Sequence, residues 1–225
     1  MVGLKHLITL RVVITFVSCI LFLLIMSDIA FLIFIIMGAI IHEYSHGWMA
    51  DQLGDPTAKD LGRLTLNPLV HIDPMGSILL PLFAWVATHG QFLFAYAKPV
   101  PYNPNNLRSQ KWGPALVGIA GPASNIIIAA LLGIIVRFLP VSSFVEMLIV
   151  GVWANVMLAV FNLVPIPPLD GSKVLFAFLP STWKGLEYTL ERFGILLFFF
   201  FIFYFARALY PLMAFLFHLF TGITF

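Results

Sequence analysis

The chain has 225 residues, of which 61% are hydrophobic and only 10% charged, with 23 Phe and a strongly positive mean hydropathy. A soluble domain of this length carries about 25% charged residues, so 12 Lys+Arg and 10 Asp+Glu cannot clothe a globular surface, and a water-soluble monomer is excluded. The formal net charge of +2 gives no argument for a nucleic-acid partner, and a single cysteine, Cys19, excludes an intrachain disulfide or a cysteine metal cluster.

A spanning helix needs about 20 apolar residues. Residues 8–26 form the first such run, with Lys5 and Arg11 at its front. No small-residue cleavage site follows and another apolar run begins at once, so an uncleaved first span is expected. Asp28 marks a short turn, and residues 29–50 make the second run. Residues 51–75 differ in kind: Asp51, Asp55, Lys59, Asp60, Arg63 and Asp73 are punctuated by Gly54, Pro56, Pro68 and Pro74. A strand is expected within 62–66. The apolar piece 78–87 is short for a span, and 91–102 alternates loosely like a hairpin. A connector rich in Pro and Asn then carries Lys98, Arg108 and Lys111. Two spans are expected at 114–139 and 144–164, with a tight turn near Pro140. Residues 165–189 return to water, and a last Phe-rich run, 193–220, is long enough to tilt or to kink at Pro211. The expected fold is an all-α polytopic membrane protein with five to six membrane segments and a small membrane-associated β-hairpin or re-entrant region, forming one integral membrane domain over residues 1–225.

The strongest local signal is His42-Glu43-Tyr44-Ser45-His46 at the end of the second run. Positions i and i+4 of a helix share a face, so two imidazoles can grip one metal ion while the intervening Glu43 serves as general base. Ionisable side chains inside a membrane helix are costly and mark function. A catalytic zinc needs a third protein ligand and an open position. The candidates are His71, Asp73, His89, Asp170 and a few loop carboxylates. Asp170 stands out by its setting, because Pro165, Pro167 and Pro168 just before it cannot continue a helix. Irregular backbone near membrane depth is tolerated only beside protein or a water-filled cavity.

Three motifs, His42-Glu43-x-x-His46, Gly121-Pro122-Ala123-Ser124-Asn125 and Asn162-Leu163-x-Pro165-x-x-Pro168-Leu169-Asp170-Gly171, resemble in order and spacing the site-2 protease family of intramembrane zinc metalloproteases. The resemblance covers residues 29–173, the expected catalytic core, with 8–26 and 193–220 as flanking spans. Asn67-Pro68-x-x-His71-Ile72-Asp73-Pro74 and Ala97-Lys98-Pro99-Val100-Pro101 look like segments of the small members, which lack an accessory soluble domain. The resemblance implies one catalytic Zn2+ held by His42, His46 and Asp170, with Glu43 as catalytic base. Asn125, Asn162 and His71 are candidate substrate-binding residues. Each has a plainer reading: helix–helix contact for Asn125, helix contact or ligand support for Asn162, and a satisfied loop histidine for His71. The implied partner is a membrane-anchored protein substrate, cut within or near its transmembrane segment in regulated intramembrane proteolysis. The alternative is a non-proteolytic membrane metal-binding or transport protein, which has no need for Glu43 between two histidines.

For His42, His46 and Asp170 to share one ion, the spans that deliver them must run in the same direction. Residues 51–113 then cross the membrane an even number of times. That arrangement gathers Lys5, Arg11, Lys59, Arg63, Lys98, Arg108, Lys111, Lys173, Lys184 and Arg192 on one side. By the positive-inside rule that side is cytoplasmic, with the N-terminus and the active-site face toward the cytoplasm in the plasma membrane.

Overall fold

The computed structural model describes residues 28–87, 89 and 97–224. The first helix, α1, covers Asp28–Gln52. Short turns α2 (Thr57–Asp60) and α3 (Pro68–His71) follow, then a π-helical turn at Pro74–Leu79 that runs into α4 (Leu80–Ala87). The long helices α5 (Gly113–Phe138) and α6 (Ser143–Asn162) come next. They precede α7 (Asp170–Phe178), α8 (Lys184–Tyr204) and α9 (Tyr210–Thr221).

Among the described residues, α1, α5 and α6 are long and apolar enough to cross a membrane. The bent pair α8 and α9 makes a fourth if it counts as one span. The expected five to six segments are therefore not supported. Run 8–26 lies outside the described residues, and α4 has only eight residues, about 12 Å of helix. The last run breaks by 71° between Tyr204 and Ala206, not at Pro211. Pro211 instead sits in the first turn of α9, where its missing N–H costs nothing.

The β expectations also fail among the described residues. Within 62–66 the chain is a turn: Gly62 takes φ +65, and the Arg63 N–H closes onto the Ala58 carbonyl. Of the expected hairpin, 91–96 lie outside the described residues. In 97–102 no strand forms, and the donors Lys98 N and Val100 N bond to the His71 carbonyl and the Glu43 carboxylate.

Small residues set the directions of the three spans. Phe34 packs on Gly151, and Gly38 lies against Asn155 and Leu158, so both contacts advance together and α1 runs parallel to α6. Helix α5 meets α1 in the opposite order, Val117 at His46 and Asn125 at Gly38 and His42, and is antiparallel. Ser142 starts α6 by accepting the Val145 N–H. Behind them, Ala129, Val152, Val156 and Val160 pack with Met213 and Phe217 of α9. The last carbonyls of α9, at Leu219 and Phe220, accept from Arg137 of α5. The outward faces of α1 and α8 stay apolar, through Leu32, Ile33, Met37, Ile195, Leu196 and Phe203. A surface of that kind suits lipid, and the molecule is an integral membrane protein.

Candidate metal centre

His42 and His46 lie one turn apart on α1, and Asp170 is the first residue of α7. All three are buried, and one ligand atom from each falls within 4.8 Å of the others. Asp170 reaches this depth through close backbone packing: a Cβ on Gly171 would overlap the Leu163 carbonyl oxygen. The start of α7 is thereby pressed against the end of α6, and a negative charge at a helix N-terminus is favoured.

The tautomers follow from fixed acceptors. The Asn125 Nδ2 donates to the Gly38 carbonyl at 3.1 Å, which turns Oδ1 toward His42 Nδ1 at 2.7 Å. His42 Nδ1 must then carry the proton. His46 Nδ1 lies 2.6 Å from the Val117 carbonyl oxygen and must donate as well. Both Nε2 atoms are left with lone pairs, and both face Asp170 Oδ2, at 3.0 and 3.1 Å. Three electron-pair donors converge there, and only a cation reconciles them. A proton on Nε2 meets that need, and a metal ion meets it with both imidazoles neutral.

The donor set fits zinc. An ion about 2.1 Å from tetrahedral ligands holds neighbouring donors about 3.4 Å apart, a few tenths of an ångström wider than the 3.0 and 3.1 Å that separate Asp170 Oδ2 from the two imidazoles. Room for it is kept by Gly121 of α5. A Cβ on Gly121 would stand 2.5 Å from His46 Nε2 and 2.6 Å from His42 Nε2. The second oxygen of Asp170, Oδ1, accepts from Lys173 Nζ at 2.8 Å, so only Oδ2 points at the imidazoles. Burial pushes the Asp170 carboxyl up, but its contacts with His42, His46 and Lys173 hold it well below the ordinary carboxylate range. Lys173, pulled down by burial, is held above its ordinary value by Asp170 and stays charged.

Glu43 is half-buried beside His42, and its Oε2 accepts the Val100 N–H at 2.8 Å. Asn125 has no exposed surface and engages all three of its bonds inside the protein, the third from Nδ2 to Asn155 Oδ1. Asn162 is half-buried at the end of α6, with Nδ2 bonded to the Leu158 carbonyl. His71 is buried away from the clustered donors, its Nε2 on the Thr65 carbonyl. Asp73 caps the π-helical turn through Met75 N, and His89 is exposed. Neither joins the cluster. Beside α7 a cleft of about 880 Å³ opens between Tyr102, Pro168, Lys173, Phe176, Lys184 and Glu191. Lys173 lines it, and the clustered donors do not.

From sequence, Gly121 enters only as part of a motif and Lys173 only as one of the basic residues on one side, while the Val117 carbonyl does not enter at all. Lys173 follows Asp170 at i+3, a helical neighbour spacing that points to it. The role of a backbone carbonyl has no side-chain signature.

The model of Peptidase family M50 matches residues 140–205, which include Asp170. Two curated relatives share the name "Putative zinc metalloprotease". YwhC of Bacillus subtilis (strain 168) is 34% identical over 175 residues, 73% of this chain and 75% of its own length. Rip2 of Mycolicibacterium smegmatis is 30% identical over 160 residues, 67% of this chain and 58% of its own. No solved structure matches the chain.

Proposed function

The chain belongs to peptidase family M50, the site-2 protease family, and from that premise we propose that it is an intramembrane zinc metalloendopeptidase that cuts a membrane-anchored protein within or near its transmembrane segment. The observation that carries this reading is the convergence of Asp170 on His42 and His46, which sit with Glu43 in a helix that can span a membrane. His42 stands about 21 Å from the Asp28 end of α1 and about 15 Å from the Gln52 end, a depth at which polar groups serve chemistry or transport.

His42, His46 and Asp170 would hold one Zn2+, with His42 oriented by Asn125 and His46 by Val117. When bound, zinc supplies a Lewis acid that polarises a peptide carbonyl and acidifies water. Glu43 takes the proton of the attacking water on its carboxylate and passes it to the leaving amine. Gly121 keeps space open at the imidazole tips. The substrate must enter as an extended segment, because a helix hides its carbonyls in internal bonds. The cleft beside Lys173 offers such a segment an approach from the water side. The basic end of the bundle lies in the cytoplasm of the plasma membrane on this reading, and regulated intramembrane proteolysis is the biological setting.

The test is zinc analysis together with cleavage of a model transmembrane peptide. Wild-type protein should carry one zinc per chain. Glu43→Gln keeps the shape of the side chain but not its basicity, so zinc should stay while the rate falls by about 10² to 10⁴-fold. Wild-type cleavage by Glu43→Gln would overturn the assignment of the base, and full zinc in Asp170→Ala would remove Asp170 from the ligand set.

A further inference from the structure

The segment Pro99-Val100-Pro101 contains three residues and a single N–H, because proline has none. That lone donor is spent on Glu43 Oε2, at 2.8 Å, across 57 residues of sequence. The surrounding contacts hold it there. Proline fixes its own φ and restricts the residue before it to extended backbone, so Lys98 and Val100 are both confined. The Val100 side chain is buried, with Cγ1 seated where a Cβ on Gly47 would come within 2.7 Å, next in sequence to His46. Ala58 and Leu64 close the same hollow. From the other side, the Arg63 guanidinium donates to the carbonyls of Lys98 and Val70. The Lys98 N–H bonds to the His71 carbonyl at 2.9 Å. Backbone, side chain and flanks all fix the direction of one amide.

We propose that this proline-flanked strap is the positioning device for the catalytic carboxylate: Val100 N–H anchors Glu43 Oε2, and Oε1 is left to exchange the proton with water and leaving amine. The inference rests on the reading of Glu43 as general base. A carboxylate on a two-carbon stem samples several rotamers, and a general base must lie within hydrogen-bond reach of the proton it takes. Anchoring one oxygen selects the rotamer and leaves the other free, so one residue binds and reacts through different atoms. Arg63 and His71 act further out. They hold the strap and touch neither metal ligands nor Glu43.

The deciding experiment removes the single N–H. Val100→Pro does so genetically. Replacing Val100 by its α-hydroxy acid, an ester isostere introduced by nonsense suppression, does so without altering the side chain, and decides the matter if the proline variant does not fold. Zinc-loaded full-length protein is assayed on a transmembrane peptide for kcat and KM separately, with zinc stoichiometry measured on the same sample. The expected result is a fall in kcat of about 10- to 100-fold, the scale of a misplaced catalytic group, with KM within about twofold and zinc unchanged. A kcat within twofold of wild type in the ester protein would overturn the proposal. So would a loss of kcat accompanied by lost zinc or raised KM, which would make the strap a structural brace only. Glu43→Gln run in parallel separates the two levels. If it is inactive while the ester protein is fully active, the strap inference alone falls. If it is as active as wild type, the base assignment falls with it.

Discussion

Gly121 offers no donor, yet it faces the tips of both clustered imidazoles. A methyl there would stand 2.5 to 2.6 Å from both Nε2 atoms, in the space an ion must share. Alanine is the better helix former, so Gly121→Ala should leave helix content unchanged by circular dichroism while zinc per chain falls to a small fraction. Asn125 works on the same site from the opposite side of His42. Removing its Oδ1 frees the imidazole to rotate and to change tautomer, and a lost orienting partner of this kind typically costs about 10- to 100-fold in metal affinity. Chelator competition on Asn125→Ala should show that loss. The His42 and His46 pair was legible because i,i+4 spacing is a local property of a helix. Asn125 was legible as a polar residue in a span, but not its duty toward His42, since 83 residues separate the two.

At the scale of elements, the described polar connectors are tied to one another by hydrogen bonds of their own. Asp55 is fully buried just beyond α1 and ties two connectors together. It accepts from Thr57, from Asn103 N at 2.6 Å and from Asn106 Nδ2 at 2.8 Å. Burial pushes its carboxyl up, and these bonds more than offset that, leaving it below the ordinary value. The unfolded chain therefore binds this proton more readily. The stabilisation is complete above the unfolded carboxylate pKa of about 4 and is lost as pH falls through the lower native value. Asp55→Asn should lower stability by about 3 kcal/mol at pH 7, the scale of bonds to a buried charged acceptor. Thermal melts of the two proteins in detergent should converge as pH drops below about 4. Residues 62–66 show why the strand expectation failed. The Arg63 N–H goes to Ala58 through a turn, its guanidinium goes to Val70, and the Thr65 carbonyl meets the His71 side chain, so these groups pair locally and not with a neighbouring strand.

For the molecule as a whole, the parallel run of α1 and α6 constrains everything between them. The C-terminal end of α1 and the start of α5 lie at one end of the bundle, tied by Arg108 N on the Leu53 carbonyl and by packing of Ala50, Leu107 and Val117. Residues 51–113 thus leave and return on the same side. Lys59 and Arg108 are both exposed there. Cysteines placed at these two positions, in a Cys19→Ser background, should react with a membrane-impermeant maleimide from one and the same side. On the proposed topology that side is the cytoplasmic one, by the positive-inside rule. Labelling from opposite faces would contradict the arrangement.

Composition alone settled that lipid is the solvent, because so few charged residues cannot cover a water-facing surface. Spacing alone paired His42 with His46, and the prolines before Asp170 announced a break in the helix at that point. These are local or summed properties, and a linear chain displays them. The tertiary structure decided what depends on distant groups meeting. It brought Asp170 to two imidazoles more than 120 residues away and spent the Val100 amide on Glu43. It put a glycine where an ion needs room, and it moved the bend of the last run away from Pro211. Backbone donors, carbonyls and the absence of a side chain carry those features. Their effect exists only once packing has chosen their neighbours, which is why no pattern of side-chain types foretold them.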